Sequence, residues 1–328
     1  MAERRTLTAA AELAIEPVSL DEYVEQVLPH SAELWASGRS LKKYAADLRE
    51  FARTAYCRRS LRLFGLRENG VVTSSCKRYA RELRCGKERL AAAGIGAIFT
   101  RPDYRRRGLA TTLVAALLDA ERGRGTDVAF LFSDIHPRFY EQLGFIALPS
   151  RRMTIRAGAL EFERIEPGVI GESDWPAVAR CFDALERRRS AALRRTPSFW
   201  ESIRRHSAPE RTLNLAIRNG SRIVAYCLGR RVVRNDAYHL DEVAFSDERH
   251  GALVAPLLRA AAGDLAKIVG WLPPERVRDV LPRASISARK DAILMIAPLS
   301  SRARASWRRL ESEILSARGD PAWANDHI

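Results

Sequence analysis

Lysine is scarce in this chain. Only Lys42, Lys43, Lys77, Lys87, Lys267 and Lys290 occur, so arginine supplies nearly all of the 55 basic residues. The five cysteines are an odd number with no CxxC pair, which argues against a disulfide framework or a zinc site. The six histidines are scattered, with no HxxxH or HExxH, and no metal is expected. There is no uncharged apolar run of about 18 residues, so no membrane-spanning helix is expected. Acidic residues are outnumbered, leaving a net charge of +15. Such a balance favours anionic partners, but the arginines are spread along the chain without a basic-aromatic patch. Codon bias explains an arginine excess equally well, and nucleic acid is not expected as a partner.

What is present is enough for two cores. The 328 residues are 46% hydrophobic, which suits two domains of about 150 residues each. The opening "MAERRTLTAAAELAIEPVSL" interrupts its apolar part with Glu12 and Glu16. It reads as a short lead-in without a secretory h-region, and the protein as cytoplasmic. Residues 19–54 read as two helices, with Ser19 and Glu22 forming a capping box. Two β-rich runs flank Glu68-Asn69-Gly70, a hairpin signal. "LAAAGIGAIFTRP" follows as a third strand ended by Pro102, then a helix over about 107–122, the strand "DVAFLF", a short helix over 136–143, and the strands "FIAL" and "RRMTIRA". The second half repeats this order: helices, a hairpin around Asn219-Gly220, then a strand, turn and helix. The two strand-to-helix passages lie about 145 residues apart, a weak internal duplication. The expected organisation is a first domain over 1–157, a second over 158–300, and a helix and tail over 301–328.

The turn Arg105-Arg106-Arg107-Gly108-Leu109-Ala110 carries the chemistry. A helix N-terminus presents unpaired N–H groups and partial positive charge. Gly108 and Ala110 let a ligand approach that backbone, and the arginines add bidentate donors. Together these suit a pyrophosphate. The spacing fits neither a P-loop nor a dinucleotide fingerprint.

Arg-x-x-Gly-x-Ala after an apolar strand and "RPDY", followed at the right interval by "VAFLF" and "RFYEQLGF", resembles the GNAT N-acetyltransferases. The resemblance covers about residues 15–157. It implies an α/β (α+β) fold with a mixed, mostly antiparallel sheet flanked by helices. It also implies acetyl-CoA as co-substrate, a primary amine as acceptor, and direct attack in a ternary complex. Carried over by position, Ile98 and Thr100, with Phe99 between them, would offer backbone groups to the pantetheine arm and the acetyl carbonyl, and Arg105, Arg106, Arg107, Gly108, Leu109, Ala110 and Thr111 would wrap the pyrophosphate. Ser133 and Asp134 would border the thioester, and Tyr140 would be the general acid. A phenol holds its proton at neutral pH and can give it to a departing thiolate. The base stays open between Glu88, Asp134, His136, the C-terminal carboxylate and water.

An intact first domain followed by a degenerate second is similar to the tandem, enhanced-intracellular-survival type of acetyltransferase. By that likeness the carboxylate of Ile328 would reach the site. The second half, with "SDERHGAL" at its turn, would be a scaffold that places Asp241 or Glu242 beside the acceptor groove. Two rival readings stand beside this one. One is an acyl-CoA sensor or interaction protein without turnover. The other is a tandem-GNAT aminoacyl transferase taking aminoacyl-tRNA, which would have no use for the intact turn. The acceptor, small molecule or protein, is not legible, and a homo-oligomer is allowed.

Overall fold

A computed structural model describes residues 14–160, 165–206, 212–273, 275–281, 284–316 and 322–327. The first half supplies strands β1 (Glu16–Pro17), β2 (Leu61–Glu68), β3 (Val71–Cys85), β4 (Glu88–Thr100), β5 (Val128–Ser133), β6 (Ile146–Ala147) and β7 (Arg151–Arg156). The second supplies β8 (Gly168–Val169), β9 (Ala191–Leu193), β10 (Leu215–Asn219), β11 (Arg222–Val232), β12 (Ala237–Phe245), β13 (Lys267–Trp271), β14 (Ser285–Ala288) and β15 (Ile293–Pro298). They build two mixed sheets. One runs β1-β2-β3-β4-β5-β15-β6 with β9 against β3, and the other β14-β7-β13-β12-β11-β10-β8. Among the described residues only β4–β5 and β12–β13 pair in parallel.

The sheets exchange strands. β15 enters the first sheet between β5 and β6, while β7 enters the second beside β13. Membership therefore does not follow a cut of the chain near residue 157, and "RRMTIRA" does not close the first half's own sheet. The sequence explains the swap. "ILMIAP" is apolar on both faces, as a central strand must be, and Leu294 through Ala297 are all buried. "RRMTIR" alternates, burying Met153 and Ile155 and exposing its arginines, which suits a strand one place from an edge. One core cluster runs from the helices of the first half through Trp175, Phe182, Phe199 and Tyr226 of the second.

The β2–β3 hairpin turns at Asn69 and Gly70, with φ of 50° and 78°, the left-handed pair a two-residue turn demands. The second hairpin differs slightly. Asn219 still pairs with Arg222, so the loop is Gly220-Ser221. In the second sheet β12 carries an extra residue opposite Leu228 and Gly229. A Cβ on Gly229 would run into the His239 carbonyl and lie 2.7 Å from the Tyr238 ring. Gly229→Ala is expected to lower stability by about 1–3 kcal/mol through overpacking, read as a fall in Tm.

The helix Leu109–Gly123 is fixed at its far end. Arg78 donates twice to Glu121, at 3.2 and 2.6 Å, and the Thr126 hydroxyl donates at 2.6 Å. Burial alone would raise the Glu121 pKa; these donors and Arg124 more than reverse it, so it is lowered. The helix is thereby locked against β3, with its N-terminus at the end of β4.

Candidate active site

β4 and β5 pair only from Ala92 to Gly94 against Val128 to Phe130. Beyond Gly94 they part, and β4 groups that face β5 have no strand partner. A bulge sharpens the parting. Lys77 opposes Gly96 and Ser75 opposes Phe99, so Cys76 faces both Ala97 and Ile98. Ala97 takes φ +47°, the left-handed region that a non-glycine residue occupies only under constraint. The result is a slot in the sheet with unpaired strand backbone along one wall.

The arginine turn stands at the mouth of this slot. Arg106 and Gly108 have φ of 62° and 77°, and Gly108 caps the helix with no side-chain acceptor over its first amides. Successive amides around such a turn make an anion-binding concavity. Arg105, Arg106 and Arg107 are exposed. Arg105 Nε donates to the Thr100 carbonyl at 3.2 Å, and Arg107 pairs with Glu68 at 2.8 Å. Arg106 has no ion pair among the described residues. Gly108, Ala110 and Thr111 line this turn, whereas Leu109 is buried under it as an anchor.

Other sequence candidates have structural duties. Phe99 is buried against Trp35, with centroids 6.1 Å apart, and Ile98 packs on the opposite core. The Thr100 hydroxyl meets Ser74 at 3.0 Å. Ser133 turns its hydroxyl onto the Ile135 carbonyl at 2.8 Å. Asp134 accepts from the amide of Ala292 at 2.9 Å, tying the end of β5 to the chain entering β15. Glu88 starts β4, six residues before the slot, beside Ser306 at 3.1 Å and Arg302 at 3.6 Å, too far away to act as base. His136 is exposed, and its Nδ1 accepts the Arg138 amide at 3.2 Å. Ile328 lies outside the described residues.

Tyr140 sits on the short helix Arg138–Glu141, 8% exposed, among Leu109, Leu113, Ile95 and Cys76. Phe139 and Phe145 hold its ring edge-on, at 4.8 and 5.9 Å. Burial first, then the charges of Asp134 and Cys76, push the phenol up to about 12.

The likeness brought the end of the chain to the site through Ile328; sequence reasoning missed how residues 322–327 are held. Residues 322–327 cross the other face of the first sheet. Ala322 packs with Leu83, Val128 and Leu294, and the His327 ring lies 5.1 Å from Phe132 and 6.2 Å from Trp271. Between them Asp326 is pinned. Arg195 donates to both its oxygens at 3.0 and 3.1 Å, and Arg81 adds a third bond at 3.1 Å. Arg195 also meets Glu242 at 2.6 Å, and Tyr226 donates to that carboxylate. Glu242 is therefore not beside an open groove as the sequence suggested; it is fully buried in an ion network that holds the tail. Asp241 pairs with Arg230 at 3.3 Å. The signal for this network was faint: Arg81 and Arg195 look like any of the other arginines.

A parallel pair of strands splayed at a bulge, a basic turn opening a helix, and a second sheet of matching order define a tandem GNAT-like fold. Residues 18–147 match the family model described as the acetyltransferase (GNAT) domain. Over that span the chain matches a GNAT acetyltransferase domain, and β9 and β15 of its second half complete the same sheet. No curated protein matches the sequence. Among solved structures, a GCN5-related N-acetyltransferase from Kribbella flavida superposes with a TM-score of 0.67 at 17% identity, covering 88% of this chain and 71% of that one. Eis1 from Mycobacterium abscessus gives 0.53 at 16% identity, over 80% and 72%. A tandem GNAT protein from the clavulanic acid biosynthesis pathway gives 0.52 at 14% identity, over 87% and 98%. At such identities the likeness is one of fold. No group of metal-ligating side chains occurs among the described residues, and no described helix is long and apolar enough to cross a membrane.

Proposed function

We propose that the protein transfers an acetyl group from acetyl-CoA to a primary amine, by direct attack with both substrates bound. The observation that carries this reading is the alignment of the Arg105–Gly108 turn with the slot between β4 and β5. The turn offers free amides and an uncommitted Arg106 to a diphosphate, and the slot offers unpaired strand amides to a thioester carbonyl. The Tyr140 phenol lies on the face that carries the Leu109–Gly123 helix, and in this reading it protonates the departing thiolate. Asp134 and Ser133 shape the end of β5 through their own hydrogen bonds. The second half serves as scaffold, and its strand β15 forms the far side of β5.

Calorimetry with coenzyme A tests the reading. Arg106→Glu should weaken binding about tenfold or more, since a charge-assisted hydrogen bond is worth roughly 1.5–3 kcal/mol. A protein with no affinity for coenzyme A, or one whose affinity ignores this change, would remove the proposal. Binding without thiol release from acetyl-CoA in the presence of any amine would favour the sensor instead.

A further inference from the structure

A cavity of about 350 Å³ opens on the face of the first sheet opposite Tyr140. Phe51, Tyr56, Tyr79 and Phe199 wall it, and the tail closes it with Asn325 and His327. Two of these residues connect it to the slot. Tyr79 is paired opposite Gly94, the last residue of β4 that meets β5. His327 leans on Phe132, which lies on β5 beyond the parting. On this face β4 presents Ala92, Gly94 and Gly96, which give a smooth floor between Arg81, Tyr79 and Lys77 on one side and β5 on the other.

We propose that this cavity is the acceptor site, that it takes a small primary monoamine with an aromatic or alicyclic body, and that His327 is the group that receives the amine's proton. This rests on the acetyltransferase reading given above. The volume is at the low end for small-molecule sites and too small for a folded polypeptide surface. The walls are rings, so an apolar body gains from burial and stacking. Among the described residues that line the cavity there is no carboxylate. The ones behind it are spent on arginine: Asp326 on Arg195 and Arg81, Glu242 on Arg195. Arg81 stacks on Phe199 at 3.9 Å, and its Nε and Nη1 are buried with no hydrogen-bond partner. A second ammonium on the ligand would be buried beside that cation without a counter-charge, which is costly. Polyamines and aminoglycoside-like amines are therefore disfavoured.

His327 keeps an exposed edge while its inner edge is covered by Phe132 and Trp271. Burial holds its pKa below the ordinary histidine value; Asp134 and Asp291 oppose this and Arg289 adds to it. Burial thus favours the neutral imidazole, the form that can accept a proton. Asp134 acts electrostatically on both His327 and Tyr140, which lie on opposite faces of the sheet at the slot. The step balances as follows. The ammonium gives one proton to His327, and the N–C bond forms as the carbonyl π electrons move to oxygen. Their return breaks the C–S bond, and Tyr140 protonates the thiolate. The remaining surplus proton on nitrogen replaces the one Tyr140 gave, and His327 releases its proton to water.

Thiol release from acetyl-CoA is measured with 2-phenylethylamine and with spermidine. The kcat/KM for 2-phenylethylamine is expected to be at least tenfold higher. Phe51→Trp should fill the cavity and raise KM for that amine about fivefold or more, with coenzyme A affinity unchanged. His327→Gln should lower kcat by about 10²–10⁴-fold and remove the acid limb of the pH profile. A merely structural role would move Tm or coenzyme A binding and leave that limb in place. Equal or reversed amine preference, no transfer to 2-phenylethylamine by protein that binds coenzyme A, or an unchanged profile in the His327 variant would overturn the inference alone. Absence of coenzyme A binding would remove the parent reading with it.

Discussion

Tyr140→Phe is expected to lower kcat by about 10²–10⁴-fold while coenzyme A binds as before. The ring is a packing element as well as the proposed acid, and the substitution separates the two. Phenylalanine keeps the edge-on contacts to Phe139 and Phe145, so Tm should hardly move. Only the proton is lost. A phenol pushed up to about 12 looks too weak to protonate a thiolate whose ordinary pKa is near ~8.5. The same slot answers this. Cys76, in the same apolar cluster, is itself pushed up to about 12 by burial. A thiolate leaving beside that apolar cluster would gain basicity from the same burial, which narrows the gap to its donor. The sign follows for the pH profile. The acid must be protonated, so activity should persist through the range in which an ordinary phenol ionises and fall only near pH 12 or where the fold fails. A wild-type alkaline limb near pH 10 that vanishes in Tyr140→Phe would contradict the burial argument while retaining the acid. Equal kcat in both proteins would remove Tyr140 from the chemistry.

Much of this site was legible because its parts are local in sequence. The turn at Gly108 is written as three arginines and a glycine between an apolar strand and an alanine-rich helix. The Asn69-Gly70 hairpin is written in a residue pair that strongly favours such a turn. Tyr140 follows from its interval to β5. What could not be read is what depends on distant pairing. The bulge at Ala97 has no composition signal, since alanine is not a residue that favours φ +47°. The strand exchange required knowing that "ILMIAP", 160 residues after β5 by rough count, is the better central strand for the first sheet. Asp326 meets Arg81 and Arg195 across sequence separations of 245 and 131 residues. In a chain so rich in arginine, no local pattern marks the two that are buried. The resemblance pointed to the terminal carboxylate of Ile328, but nothing local in the sequence marked Asp326 as the residue that anchors the tail.

Asp326→Ala is expected to cost about 3–5 kcal/mol, because it breaks a buried ion network from one side. Arg195 would keep Glu242 alone, and Arg81 would lose its only ion pair among the described residues. The stranded Arg81 cation accounts for much of the loss, so adding Arg81→Met should recover part of it: methionine can still lie against Phe199 where the guanidinium now stacks. Thermal or urea unfolding of the single and double variants measures both effects. The pH dependence gives a second check. Burial opposes ionisation of Asp326, but Arg195 and Arg81 prevail and its pKa is lowered. Its contribution is therefore complete above the unfolded carboxylate value of about 4, and it is lost as pH falls through the folded value. The gap between wild type and Asp326→Asn should be constant near neutrality and close in acid. Glu242 works in the other direction. Burial raises its pKa despite Arg195, so its ionised form lowers stability at neutral pH and protonation relieves that cost. Removing the neighbouring Asp326 charge should bring the Glu242 pKa down. Because Asp326 also holds His327 beside Phe132, its loss should lower amine acetylation without weakening coenzyme A. A variant destabilised as expected but with unchanged kcat would show that the network supports the fold without positioning the tail for chemistry.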